Sequence, residues 1–144
     1  MNIKEKAQTV LSQMQSFKAA GAIVIGLQPI SSPINEEEGK TLAVDILPDT
    51  ISFISGTSKQ GKVYATNKVS AVYSEKPINI SLSQRVIEAL IDGEEITQVF
   101  VTVIKNGVYK NFGLGYLTEN ESADAYNSLM EYRETQKEKE LATK

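Results

Sequence analysis

The residues best suited to contact a ligand are lysines that alternate with aromatic residues in two segments of the chain. One segment covers residues 59–73 and the other covers residues 100–110. Aromatic rings stack on nucleobases and lysine ammonium groups contact phosphates, so this mixture is typical of sequence-tolerant binding to single-stranded nucleic acid. The candidate nucleic-acid-binding residues are Lys59, Lys62, Tyr64, Lys68, Tyr73, Phe100, Lys105, Tyr109 and Lys110.

Catalysis is not expected, because the chain has no histidine and no cysteine. It therefore lacks the commonest general base, the commonest transition-metal ligand and any thiol nucleophile. Asp45 and Asp49 flank a predicted turn, and Glu94-Glu95 lie in a predicted loop, so none forms a recognisable acid/base pair. The adjacent carboxylates of Glu36–Glu38 lack the spacing of a calcium loop. We expect a non-enzymatic protein without catalytic residues, metal or cofactor.

The segment from Gly56 to Lys62 resembles a phosphate-binding loop in composition only. Gly56 and the Gly61-Lys62 pair have the internal spacing of that motif. The motif requires a serine or threonine after the lysine and a helix beyond it. Val63 follows here, and the next residues predict a strand. We therefore expect a strand-connecting turn and no nucleotide site.

Length and composition indicate one soluble domain of 144 residues, with 41% hydrophobic and 23% charged residues. The formal net charge of −3 excludes a wholly basic nucleic-acid-binding domain but leaves room for a local basic face. The apolar runs are too short to span a bilayer, and the first apolar residues have helical spacing instead of a signal core. We expect no membrane association and a cytoplasmic protein, located in the host cytoplasm or the virion if it is viral.

The clearest structural signal is a hairpin over Thr97–Leu117 with a type I′ turn at Asn106-Gly107. That turn predicts that Val103 lies opposite Lys110 and that Phe100 lies opposite Gly113. The predicted core face comprises Val99, Val101, Val103, Val108, Phe112 and Leu114. The other face is mixed, and either a terminal helix covers it or it forms an aromatic platform between lysines.

Three helices are predicted. Helical spacing of apolar residues indicates the first over residues 2–20. Capping-box patterns at Ser81–Gln84 and Thr118–Glu121 begin the others, the last of which extends into the 130s. We interpret residues 1–132 as a single globular domain and residues 133–144 as a charged, solvated helix end or tail.

The remaining segments predict strands. Ala22–Leu27 is apolar on both faces and predicts a buried strand. Pro48-Asp49 predicts a turn between two short strands, and Asn67-Lys68 predicts the turn of a second hairpin. The fold class is α+β, with a mainly antiparallel sheet or a small open OB-like barrel and with N-terminal, internal and C-terminal helices.

Three functional hypotheses follow. The first is sequence-tolerant single-stranded nucleic-acid binding, of a viral or mobile-element type, although the same residues also occur on ordinary solvated strands. The second is a self-assembling structural subunit, such as a viral component, that forms a homo-oligomer through its terminal helices. The third is a protein-binding adaptor or inhibitor that uses the mixed face of the hairpin. Fold-level evidence does not rank them.

Overall fold

Helices flank a single sheet in a computed structural model, which describes residues 2–24, 28–29, 39–106, 109–112 and 115–142. The helices are α1 (Ile3–Ala19), α2 (Gln84–Ile91) and α3 (Glu119–Ala142). The strands are β1 (Ile23–Val24), β2 (Gln28–Pro29), β3 (Thr41–Thr57), β4 (Val63–Tyr73), β5 (Lys76–Ile80), β6 (Gln98–Asn106) and β7 (Tyr109–Phe112). The predicted α+β fold class is confirmed, with an open, mixed sheet.

The strands pair in the order β1–β4–β3–β6–β7–β2, and β5 also pairs with β4. β1 runs parallel to β4, whereas the other strand pairs are antiparallel. β1 and β2 lie at opposite ends of this order, yet they are close in sequence. Each chain step extends at most about 3.6 Å, so the Cα atoms of Val24 and Gln28 are at most about 14 Å apart. The open sheet is therefore strongly curled.

The hydrophobic core lies between one face of the sheet and the helices α1 and α2. α1 is capped by Asn2, whose Oδ1 accepts a hydrogen bond from the backbone N–H of Glu5 at 2.8 Å. Its apolar stripe is buried, as predicted, at Ala7, Val10 and Met14. Among the described residues, no helix is both long and apolar enough to cross a membrane.

The two later helices begin at polar caps. The predicted position of the cap at Ser81–Gln84 is wrong, because Ser83 caps α2 and accepts from the N–H of Val86 at 3.3 Å. The capping box before α3 is confirmed. Thr118 Oγ1 accepts from the N–H of Glu121 at 3.1 Å, and the Glu121 carboxylate accepts from the N–H of Thr118 at 3.2 Å. α3 continues for 24 residues, which is longer than predicted.

α3 packs on the opposite face of the sheet, against β6 and β3. Ser122 Oγ lies 2.6 Å from Thr102 Oγ1, and Thr102 Oγ1 lies 3.0 Å from Thr41 Oγ1. Ser122 and Thr102 are buried, so these hydroxyl groups satisfy one another inside the contact. Residues 131–141 are largely exposed. The C-terminal helix thus covers part of the mixed face of the central hairpin, which is the simpler of the two predicted arrangements.

β3 is one bent strand, so the predicted turn at Pro48-Asp49 is wrong. The pairing with β4 shifts between Leu47 and Ser52, where four residues of β3 lie opposite one residue of β4. Thr50 stabilises this bulge. Its hydroxyl donates to the C=O of Leu47 at 2.6 Å and accepts from the N–H of Ser70 at 2.9 Å. The turn-forming residues therefore bend the strand without reversing the chain.

β4 is also one strand, so the predicted hairpin around Asn67-Lys68 is wrong. Asn67 is only 1% exposed. Its Nδ2 donates to the C=O of Leu82 at 2.9 Å, and its Oδ1 accepts from the N–H of Leu82 at 2.8 Å. The side-chain amide thus takes the place of a neighbouring strand's backbone. This buried role overrides the turn preference of asparagine.

The other side of Leu82 contacts the chain that follows β7. Leu82 and Gly115 form a parallel bridge. The N–H of Gly115 donates to the C=O of Ser81 at 3.1 Å, and the N–H of Ser83 donates to the C=O of Gly115 at 3.3 Å. A Cβ atom at Gly115 would lie 3.0 Å from Leu82 Cδ2, so glycine permits this close approach.

The register of the central hairpin differs from the prediction by two residues. Val103 pairs with Phe112 instead of Lys110, and Lys105 pairs with Lys110. A shift of two residues keeps each side chain on its face, so the hydrophobic pattern cannot distinguish the two registers. The predicted core residues Val99, Val101 and Val103 are buried. Gly107, Val108, Gly113, Leu114 and the side chain of Phe112 lie outside the described residues.

The prediction of a buried strand at Ala22–Leu27 is wrong where the structure describes it. β1 comprises only Ile23 and Val24, which are 48% and 37% exposed. Both residues lie at the end of the strand order, where in the described chain only β4 pairs with them. Residues 25–27 and the acidic patch Glu36–Glu38 lie outside the described residues.

Replacement of Asn67 tests the contact with Leu82. Asn67→Ala leaves two buried backbone groups of Leu82 without their partners, at a cost of about 1–3 kcal/mol each. We expect the free energy of unfolding to fall by roughly 2–5 kcal/mol, as measured by urea denaturation. Asn79→Ala, at an exposed position of β5, is the matched control and should change stability by less than about 0.5 kcal/mol. Equal effects of the two substitutions would contradict the proposed role of Asn67.

Candidate nucleic-acid interface

The positive charges of two hairpins are not balanced by acidic residues of the same segments. Residues 50–74, which contain the end of β3 and all of β4, include three lysines and no aspartate or glutamate. Residues 96–118, which contain β6 and β7, include two lysines and again no acidic residue. The chain as a whole carries a formal charge of −3. Acidic residues are therefore concentrated outside these two hairpins.

The turn between β3 and β4 presents two exposed lysines on an ordered backbone. The N–H of Ser58 donates to the C=O of Lys62 at 2.8 Å, and the N–H of Gly61 donates to the C=O of Ser58 at 2.9 Å. Gly61 has φ of +80°, which glycine adopts without strain. A three-residue loop with glycine in the left-handed region is a common hairpin turn. Lys59 and Lys62 consequently project from a defined turn.

Tyr64 and Lys68 share the outer face of β4. Successive residues of a strand point to opposite faces, and these two are four residues apart. Tyr64 pairs with Gly56 of β3, and its ring lies across that glycine. A Cβ atom at Gly56 would be 2.5 Å from the Tyr64 hydroxyl oxygen, so a larger residue at this position would require the ring to move. Lys68 pairs with Ser52 and is half-buried.

Tyr73 and Phe100 lie apart from this face. Tyr73 is partly buried and packs against the hydrophobic core, on the side opposite to Tyr64 and Lys68. Phe100 is half-buried and forms an antiparallel bridge with Tyr116, not with Gly113 as predicted. It lies on the same face of β6 as Thr102, which contacts α3. The predicted residues are therefore not brought together as one set.

The hairpin of β6 and β7 contains the other three predicted residues. Lys105 pairs with Lys110, and Tyr109 pairs with Asn106. Their backbones belong to the described residues, whereas their side chains lie outside the part of the chain that the structure describes. The described register nevertheless sets two lysines directly opposite one another near the end of this hairpin.

Strands β1 and β2 pair with different hairpins, although Val24 and Gln28 are only four chain steps apart. Ile23 pairs with Tyr64, close to the β3–β4 turn. Gln28 pairs with Phe112, close to the end of the β6–β7 hairpin. Because neighbouring strands lie about 4.8 Å apart and Val24 is at most about 14 Å from Gln28, the paired segments are within roughly 25 Å. One extended ligand can therefore reach both hairpins.

A cleft that the sequence did not reveal lies beside the β3–β4 turn. It has a volume of about 680 Å³ and separates the end of α1 from that turn. Its lining residues are distant in sequence, so no local pattern could predict it. They are Ser16, Phe17, Ala20, Gly21, Ala22, Ile23, Gly61, Lys62 and Val63.

Within the described residues, no group of three or more histidine, cysteine, aspartate or glutamate side chains could hold a metal ion. Burial raises the pKa of Tyr116, and the charge of Glu121 raises it further.

Comparison with known proteins gave no match. Neither a protein-family model, nor a curated protein, nor a solved structure is significantly similar to the chain.

The packing of Tyr64 on Gly56 can be tested by a double-mutant cycle. Gly56→Ala places a methyl group under the Tyr64 ring and should cost about 1–3 kcal/mol of stability. The same substitution in a Tyr64→Ala background meets no ring and should cost less. Denaturant unfolding of the four proteins measures the difference, which we expect to be at least about 1 kcal/mol. Additive effects would mean that the ring does not rest on Gly56.

Proposed function

We propose that the chain is a non-enzymatic protein that binds single-stranded nucleic acid with little sequence preference. The ligand lies across the β3–β4 and β6–β7 hairpins of an OB-like barrel. The proposal is carried by the way in which the five strands β3 to β7 pair, which matches the strand order of an OB-fold. In that fold the two turns that correspond to the β3–β4 and β6–β7 turns border the ligand-binding face.

Strands β3 to β7 pair in the order of a small barrel that is only partly closed. β3 pairs with β4 and β6, β4 pairs with β5, and β6 pairs with β7. The parallel bridge between Leu82 and Gly115 sets the end of β5 beside the chain that follows β7. α2 connects β5 to β6. A partly open five-stranded barrel of this kind is typical of the OB-fold.

OB-folds bind oligonucleotides at a known position. The ligand contacts the face of the second and third strands and the loops that join strands one to two and four to five. The corresponding elements here are β4, β5, the β3–β4 turn and the β6–β7 turn. Eight of the nine predicted residues belong to these elements or to the strand ends that flank them: Lys59, Lys62, Tyr64, Lys68, Tyr73, Lys105, Tyr109 and Lys110. Tyr73 packs against the hydrophobic core and Phe100 lies outside these elements, so neither is included in the proposed interface.

The charges of the hairpins favour an anionic ligand. Residues 50–74 and 96–118 contain five lysines and no acidic residue. The register of the hairpin pairs Lys105 with Lys110. A phosphate backbone bound at this end of the hairpin supplies the opposite charge. The proposal therefore explains why lysines occupy these positions in a chain that is acidic overall.

The aromatic ring of Tyr64 on β4 is suited to stacking on unpaired bases. Tyr64 is half-buried, and its ring is held in place by the contact with Gly56. Stacking on an aromatic ring contributes about 1–3 kcal/mol per base and accepts any base, because every base has a π-face. A duplex does not offer unstacked bases to such a ring. The expected ligand is accordingly a single strand.

The self-assembly hypothesis has less support in the described residues. It relied on both terminal helices, but in α1 the side chains of Val10 and Met14 are buried against the core of the same chain. These two residues therefore present no surface to a second copy, whereas Tyr132 and Leu141 of α3 are exposed.

Charge reversal at the β3–β4 turn tests the proposed interface. Lys62→Glu replaces an attraction for phosphate with a repulsion, so the affinity for a labelled oligothymidine should fall roughly five-fold to thirty-fold. The dependence of log K on log salt should also lose about 0.7 in slope for each phosphate contact that is removed. Fluorescence anisotropy at several salt concentrations measures both quantities.

Lys137→Glu is the matched control, since Lys137 is exposed near the far end of α3. It makes the same change in net charge and should leave both quantities nearly unchanged. Equal losses in the two variants would show that net charge alone governs binding. If the wild-type protein does not bind oligothymidine at micromolar concentration, the proposed function is incorrect.

A further inference from the structure

The cleft beside the β3–β4 turn is an apolar site that the proposed interface does not yet use. Phe17, Ile23 and Val63 are among its lining residues, and Ile23 and Val63 are 48% and 44% exposed. Among the described residues that line the cleft, Lys62 is the one with a charged side chain. The volume of the cleft, about 680 Å³, falls within the range of ligand pockets, roughly 300–1,000 Å³.

These features define the chemistry of the occupant. It has a flat or compact apolar part, which displaces water from the exposed side chains, and an adjacent anionic group, which Lys62 attracts. The cleft is continuous with the turn that carries Lys59 and Lys62. A nucleotide of a strand bound to this turn has both parts in the required order, with the phosphate beside the base.

We propose that the cleft between α1 and the β3–β4 turn receives one unpaired base of the bound strand, while Lys62 contacts its phosphate. This inference rests on the proposed function and adds a specific contact to it. The base enters between Phe17 and Val63 and is removed from water. Since a base in a duplex cannot leave the stack without cost, the cleft contributes to the preference for single strands.

Two alanines at the end of α1 allow a substitution that blocks the cleft and a matched control that does not. Ala20 lines the cleft, whereas Ala19 is exposed on the same helix and is not among the lining residues. Ala20→Trp fills the cleft, and Ala19→Trp adds the same side chain outside it. The affinity of Ala20→Trp for oligothymidine should fall roughly five-fold to a hundred-fold, which is the range of one lost base contact. Ala19→Trp should bind within about twofold of the wild type.

An oligomer of the same length that lacks bases separates the base from the backbone. It retains the deoxyribose phosphates, so it still contacts the lysines. Because the cleft then has no base to receive, Ala20→Trp and the wild type should bind this oligomer equally. An equal loss of affinity for both oligomers would overturn the inference, since the tryptophan would then interfere with the backbone alone.

A fluorescent variant reports occupancy directly, because the chain contains no tryptophan. Phe17→Trp puts a single indole in the cleft, and Tyr132→Trp puts one on the exposed part of α3 as a control. Oligothymidine should quench only the first, at the concentrations at which anisotropy records binding. This variant decides the question if Ala20→Trp fails to fold, which circular dichroism reveals.

The outcomes distinguish the two proposals. Binding without quenching in Phe17→Trp, together with equal affinities of Ala20→Trp and Ala19→Trp, overturns the base-binding cleft and leaves the proposed function intact. Absence of oligothymidine binding by the wild-type protein overturns both.

Discussion

The architecture depends on the way in which the backbone of Leu82 is held from two sides. Asn67 of β4 satisfies its N–H and C=O with a side-chain amide, and Gly115 pairs with it through the backbone. This contact joins the end of β5 to the chain that follows β7, beside the start of α2. Without it the strands β3 to β7 would form a sheet with two distant edges. With it, the curl of the sheet and the position of α2 are fixed together.

The curl of the sheet brings two hairpins that are distant in sequence close to one another. β1 and β2 pair with opposite ends of the strand order although only four chain steps separate Val24 from Gln28. The β3–β4 and β6–β7 hairpins, whose turns are more than forty residues apart in sequence, therefore come within reach of one ligand. Both hairpins lack acidic residues, so the curl turns two modest basic segments into one basic region on an acidic protein.

Sequence patterns predicted the parts of the fold that depend on local chemistry. The buried stripe of α1 and the capping box at Thr118–Glu121 follow from helical spacing and from hydrogen-bonding groups three residues apart. Patterns failed where a distant partner decides the structure. Asn67 is typical of a turn in the sequence, but in the structure its side-chain amide hydrogen-bonds to the backbone of Leu82. Pro48 likewise predicts a chain reversal, but β4 pairs with β3 on both sides of it. The cleft beside Lys62 is formed by two segments that are distant in sequence, residues 16–23 and 61–63, so no local pattern predicts it.

The most direct test of the central claim is a titration of the ¹⁵N-labelled protein with oligothymidine, followed by backbone amide chemical shifts. The account predicts that the largest shift changes occur together in residues 56–68 and in the β6–β7 hairpin, with little change in α3 beyond residue 130. It also predicts that these changes diminish as salt is added, because phosphate contacts release counterions. Changes confined to α3, or to only one of the two hairpins, would contradict a single interface that spans both.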